Sequence, residues 1–172
     1  TTYHLPKDAV VISDEEKIID LCGIKGGKNS GTFEGTKTIF IRVPVEIPNL
    51  IRRTSLSLGL RSEASSIFER GVNTGGTIAA LKRCADLVLQ LAGGQIASNL
   101  YDIKKEDFKP WRLSLKLQKL NQILGIDIPV KNVLGILEVL NLSPLLKKDT
   151  IQTTIPTYRN DLKIEEDLIE EV

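Results

Sequence analysis

"LSLKLQKLNQILGIDIPVKNVLGILEVLNLS", residues 113–143, changes its hydrophobic period partway along. Leu113, Leu115 and Leu117 alternate, as on a half-buried strand. Leu120, Ile123 and Leu124 then recur at helical steps until Gly125 stops the run. Behind Pro129, Val133, Ile136, Leu137 and Leu140 mark a second amphipathic helix. "TIQTTIPTYR" (150–159) sets Ile151, Thr153 and Ile155 against Thr150, Gln152 and Thr154, the alternation of a strand. A last helix starts near Ile164. Two helices, a strand and a helix in about sixty residues predict a small, compact, α-rich unit.

A charged, proline-containing connector, "YDIKKEDFKPWR" (101–112), separates this unit from what precedes it. Trp111 beside Pro110 is expected to pack that junction. The earlier region opens with "AVVISDEEKIIDLCGIKGG" (9–27), read as two short strands around a polar turn. "TKTIFIRVPV" (36–45) reads as a third strand. Pro48 starts a helix that Gly59 stops, and Thr74 caps a longer one that ends at Gly93-Gly94. The fold class expected is α+β, with residues 1–103 and 113–172 as domains and 104–112 as linker.

The 172 residues suffice for one ordinary domain or two small ones. Hydrophobic and charged fractions of 41% and 26% are those of a soluble globular protein. A net charge of +1 confines any charged site to a local patch. No apolar run is long enough to cross a membrane, and no signal-peptide pattern opens the chain. Cys22 and Cys84 lack metal-ligand spacing and read as reduced thiols of a cytosolic protein. His4 is the single histidine and lies near a terminus, which disfavours a histidine-based triad. The chain has no methionine, begins in mid-phrase and ends inside a helical pattern, so we expect a piece of a longer protein.

Six carboxylates fall within residues 161–171. On a helix, Asp167, Glu170 and Glu171 stand at i, i+3 and i+4 on one face, and Asp161 can fold back from the preceding turn. Early acids favour the positive end of a helix dipole, which accounts for Glu165 and Glu166 but not for Glu170-Glu171. A solvated face, a basic partner and an oxygen-ligated Mg²⁺ site all fit that spacing. "GIKGGKNSG" (23–31) lacks the spacing of a phosphate-binding P-loop and reads as a strand-end turn. Arg52, Arg53 and Arg61 form either a nucleic-acid patch or a solvated helix face.

Taken in order, "LCGIKGG" (21–27), "LIRRTSLSLGLRSEASSIFERGVN" (50–73) and "IPTYRNDLKIEEDLIEEV" (155–172) resemble the β subunit of bacterial phenylalanine–tRNA ligase. "SEASSIFERGV" and R-x-D-(x5)-D-L-x-E-E are the most specific parts. The resemblance implies that residues 1–103 are the latter part of a module that hydrolyses mischarged tyrosyl-tRNA. Residues 113–172 then correspond to a small winged-helix-like domain. It further implies that Asp161, Asp167, Glu170 and Glu171 bind Mg²⁺ shared with the catalytic α subunit of an α2β2 assembly, in the cytoplasm. Phenylalanine tRNA is the macromolecular substrate. ATP is used by the whole enzyme and is not bound by this segment.

The implied editing pocket falls on Cys22, Gly23, Arg42, Ser62 and Ala64. Here the chain departs from the family pattern. Arg42 stands where the family has a glutamate for the tyrosine hydroxyl, Ser62 replaces an alanine, Ala64 a threonine, and Ser66-Ile67 a His-Arg pair. Exchanging a carboxylate acceptor for a guanidinium donor inverts recognition, so weakened editing is expected. The chain contains neither a nucleotide-binding motif nor a nucleophile–base pair, so it is not expected to catalyse aminoacylation alone. The competing readings are a nucleic-acid-binding module on residues 110–172, a scaffold domain with solvated acids and, more distantly, an isolated hydrolase. The first needs a basic recognition helix, but residues 130–142 carry only Lys131.

Overall fold

A computed structural model describes residues 2–104 and 107–172, so the expected linker lies partly outside the described residues. The chain forms two compact units. One comprises residues up to Val72 with Thr77–Asp102; the other comprises Asn73–Gly76 with Ile103–Val172.

The first unit holds a small antiparallel sheet in the order β1 (Val11–Ser13), β2 (Ile18–Leu21), β3 (Lys25–Gly26). Asp14 makes the β1–β2 turn: its Oδ1 accepts the backbone N–H groups of Glu16 and Lys17 at 2.9 and 2.7 Å. The glycine-rich stretch is a strand-end turn, where the Gly27 N–H donates to the Ile19 carbonyl at 2.8 Å. Helix α1 (Pro48–Leu58) begins on a proline, whose missing N–H is no loss at that position, and ends on Gly59 in the left-handed region. It lays Ile51 against Leu21 and Ile24, with Leu5, Leu58, Leu60 and Phe68 around them.

Helix α2 (Glu63–Phe68) follows, and a 3₁₀ turn at Thr74–Gly76 precedes α3 (Thr77–Ala92). The long helix therefore starts two residues later than a Thr74 cap would place it. Gly93 and Gly94, both at positive φ, stop it as expected. Its Ile78, Leu81, Ala85 and Val88 share a face and are half-buried.

One expected strand is absent. Residues 36–45 form no ladder, and the third place in the sheet goes to Lys25–Gly26. Their β-forming composition finds no partner edge, and Phe40 is left 87% exposed.

The second unit contains more sheet than the sequence suggested. β4 (Trp111–Lys116), β5 (Leu145–Lys147) and β6 (Thr150–Ile155) form an antiparallel sheet in the order β4-β6-β5. Helices α4 (Leu117–Leu124), α5 (Val130–Val139) and α6 (Glu165–Glu170) complete the unit. The alternating leucines are β4, and the period changes where Lys116 hands over to α4. Gly125, at φ 71°, ends α4. The inward side of β6 buries Ile151, Thr153 and Ile155, as the alternation required. They meet Leu115, Leu120, Val133, Leu137, Leu142, Leu162, Leu168 and Ile169 in one core. Each fully buried leucine or isoleucine there contributes about 1.5–3 kcal/mol.

Trp111 opens β4. It belongs to this core's edge, with its Nε1–H donating to the Leu162 carbonyl at 3.0 Å. The Lys163 ammonium lies 4.0 Å from the ring centroid.

Candidate functional site

Helix α6 positions the closing acids. Leu168 and Ile169 face inward and bury in the second unit's core, so the polar residues of this six-residue helix are directed outward. Asp167 folds back over the helix start, where its Oδ2 accepts the N–H groups of Lys163 and Ile164 at 2.6 and 2.8 Å. Those bonds hold its carboxyl below the usual range. Glu165 accepts the Lys116 N–H at 2.7 Å and the Lys119 ammonium at 3.0 Å, and Glu166 shares that ammonium. Burial pushes Glu165 up, but these bonds outweigh it and the net shift is downward. The ammonium likewise lowers Glu166. Lys119 thus ties α6 to α4.

Asp161 and Glu171 meet on Arg159. Nε and Nη2 of Arg159 donate to the two oxygens of Asp161 at 3.0 and 2.6 Å. The same Nη2 donates to Glu171 Oε1 at 2.6 Å, and Nη1 to Oε2 at 3.4 Å. The guanidinium draws the Asp161 carboxyl below its ordinary range. Asp167 is close enough to feel the charge of Asp161. Glu170 is exposed, and its side chain has no hydrogen-bond or ion-pair partner among the described residues.

Of the four candidate metal ligands, then, two converge on a cation of the chain's own. A third commits one oxygen to the backbone, and the fourth points into solvent. Among the described residues, no three acidic, histidine or cysteine side chains stand together as a ready metal cage. As arranged, with Arg159 engaged, the four acids do not fit a bound Mg²⁺, because the guanidinium stands between Asp161 and Glu171. The sequence reading included Arg159 in the closing motif without giving it a role. Its i, i+2 spacing to Asp161 was the available signal.

The candidate pocket residues lie in the first unit and divide into two groups. Cys22 is buried, and burial raises its thiol, with Arg42 opposing from nearby. Arg42 itself is engaged, at 2.9 Å from Glu46 and 3.7 Å from Asp20. Ser62 caps α2: its Oγ accepts the Ser65 N–H at 3.0 Å and donates to the Ile24 carbonyl at 2.7 Å. Ala64 is half-buried on the same helix, and Gly23 packs beside Ile51 and Phe68.

A shallow depression of about 460 Å³ is lined by Arg61, Ser62, Glu63, Ser66 and Ile67. Of the five pocket candidates, its lining includes only Ser62. Two of the three arginines of the possible nucleic-acid patch have internal partners: Arg53 pairs with Asp8 at 3.2 Å, and Arg61 grips both oxygens of Glu69. The outer face of the β4-β6-β5 sheet and its hairpin carry Arg112, Lys116, Lys147 and Lys148, all exposed. Sequence reasoning, which looked for cations on α5, missed this grouping because β5 was not recognised.

Residues 1–93 match the B3/4 domain family, and residues 113–172 match the tRNA synthetase B5 domain family. The phenylalanine–tRNA ligase β subunit of Carboxydothermus hydrogenoformans is 36% identical over 169 residues, or 98% of this chain and 21% of that protein. The β subunit of Idiomarina loihiensis is 39% identical over 171 residues, again 98% of this chain and 21% of its own length. That of Salinibacter ruber is 34% identical over 168 residues, covering 98% and 20% respectively. The chain belongs to the phenylalanine–tRNA ligase β-subunit family. It spans about one fifth of the length of these β-subunit relatives. The B5 match starts two residues into β4 and takes in the whole Arg159–Glu171 cluster, whereas the B3/4 match covers the candidate pocket. Among the described residues, no helix is long and apolar enough to cross a membrane.

Proposed function

We propose that the chain serves as a segment of a ligase that attaches phenylalanine to its tRNA with ATP. In this reading the catalytic chemistry belongs to an α subunit in a cytoplasmic α2β2 complex. Continuous similarity over 98% of the chain carries it. Residues 1–103 contribute the latter part of an editing module and residues 113–172 a winged-helix-like domain. Asp161, Asp167, Glu170 and Glu171 are the residues that would hold Mg²⁺ at the α-subunit boundary. The ion would supply positive charge there to join oxygen donors from two chains. Glu170, exposed and uncommitted, is the donor best placed for a partner.

The test is calorimetric titration of Mg²⁺ into the chain alone and with the α subunit, beside Glu170→Gln/Glu171→Gln. Binding by the isolated chain is expected in the millimolar range, roughly the loose end of oxygen-ligand sites. It should tighten with α and disappear in the double variant. An identical titration for wild type and variant, with α present, would remove the metal from this reading.

Editing by the parent subunit is proposed to be weak. Asp20 and Glu46 already engage Arg42, so its guanidinium is ill placed to replace a carboxylate acceptor. Restoring the acceptor with Arg42→Glu in the full β subunit should raise hydrolysis of tyrosyl-tRNA by about tenfold or more, since one lost polar contact costs at least that in discrimination. An unchanged or lower rate would show that position 42 does not limit editing.

A further inference from the structure

The acidic motif already contains a cation. Every carboxylate oxygen of Asp161 and Glu171 accepts from Arg159, at 3.0 and 2.6 Å on one side and 2.6 and 3.4 Å on the other. The Arg159 side chain is only 18% exposed. Its backbone is fixed as well, since its N–H donates to the Pro156 carbonyl and its carbonyl accepts the Leu162 N–H. Two carboxylates meeting without a counter-charge would repel, and a planar fork of donors resolves this with fixed geometry.

The Nη2 atom lies 2.6 Å from both Asp161 Oδ2 and Glu171 Oε1. A Mg²⁺ ion bonds oxygen at about 2.1 Å and cannot coexist with a guanidinium at that point. We propose that Arg159 is the resident cation of the closing motif and that a divalent ion must displace it to reach Asp161 and Glu171. This rests on the proposed metal reading for its choice of ligand. Arg159 is then a positioning residue with two states: engaged, it locks the 156–162 segment to the end of α6; displaced, it frees both carboxylates for metal. A divalent ion and an engaged Arg159 are mutually exclusive, so removing the guanidinium raises metal affinity although it removes a stabilising bridge.

The test is Mg²⁺ titration by calorimetry into the 172-residue chain as wild type, Arg159→Lys and Arg159→Gln, with circular dichroism establishing the fold of each. The expected order of affinity is wild type, then Lys, then Gln, with Gln about tenfold tighter than wild type because one screened like charge is gone. An ammonium holds one carboxylate at a point and competes less well than a fork. Binding by the Gln variant with none by wild type supports the displacement outright. Equal binding by wild type and variants overturns the displacement while leaving the metal reading in place. Weaker binding in the variants also overturns it, because Arg159 would then be assembling the site rather than filling it. No binding in any folded variant overturns the displacement and the isolated-chain metal site together. Should the Gln variant fail to fold, unchanged affinity in Arg159→Lys is sufficient to overturn the proposal.

Discussion

Leu168→Ala is expected to destabilise the second unit by about 2–5 kcal/mol, as large-to-small changes at sealed core sites do. Leu168 is fully buried, at the centre of the only inward face that α6 possesses. A helix of six residues has no stability of its own and exists through such burial. Trp111 is the sole tryptophan and packs against the same core, so urea unfolding followed by its fluorescence reads this unit. Val139→Ala, at a side chain 82% exposed, is the control and should stay within about 0.5 kcal/mol. A Leu168→Ala change no larger than the control would mean that the acids are held by their ion pairs alone. The expected result has a functional corollary. Asp167, Glu170 and Glu171 keep their positions because the residues between them are anchored, so this apolar substitution should weaken any ligand binding by the acids without touching a charge.

The second unit was the more legible half, for a physical reason. Its elements carry strong periodic signals: the leucine alternation of β4, the helical spacing of α4 and α5, and the inward triplet Ile151, Thr153 and Ile155. The strand it hid was β5. "LLK" is three residues long, shows no alternation and is exposed throughout; it pairs because Lys148 takes a positive φ in the turn to β6. A turn conformation adopted by lysine leaves no mark in composition, whereas glycine or asparagine would have.

In the first unit the error ran the other way. Residues 36–45 have the β-branched and aromatic content of a strand, yet a strand needs an edge to join, and Lys25–Gly26 holds that edge. The acids were legible as a group but not in their separate duties. Spacing put Asp167, Glu170 and Glu171 on one face. It could not show that Asp167 turns back to the backbone, that Lys119 on another helix claims Glu165 and Glu166, or that Arg159 binds two carboxylates. Those partners lie 2 to 47 residues away in sequence, and only folding brings them together.

Gly23→Ala is expected to destabilise the first unit by about 1–3 kcal/mol. Gly23 sits at φ +66°, a conformation costing an L-residue roughly 1–2 kcal/mol. A Cβ there would also stand 3.1 Å from Ile51 Cδ1 and 3.4 Å from Phe68 Cδ2, inside the unit's small core. Gly59→Ala isolates the first term, because Gly59 has φ +62° in the same unit and open space around its Cβ position. Hydrogen exchange at the Cys22 and Ile24 amides, bonded to the Val10 and Leu21 carbonyls, gives the local readout. Gly23→Ala should accelerate exchange there more than Gly59→Ala does. Equal effects would mean that Ile51 yields freely and that backbone strain is the whole cost. The comparison bears on function because Gly23 and Ser62 are both candidate pocket residues, and each already has a structural duty. Gly23 admits Ile51, and Ser62 caps α2 while binding the Ile24 carbonyl. Both duties fix the spacing between the β2–β3 turn and α2. The fold therefore needs a glycine at 23 whatever side chain stands at position 42, and its presence there is no sign of a working pocket.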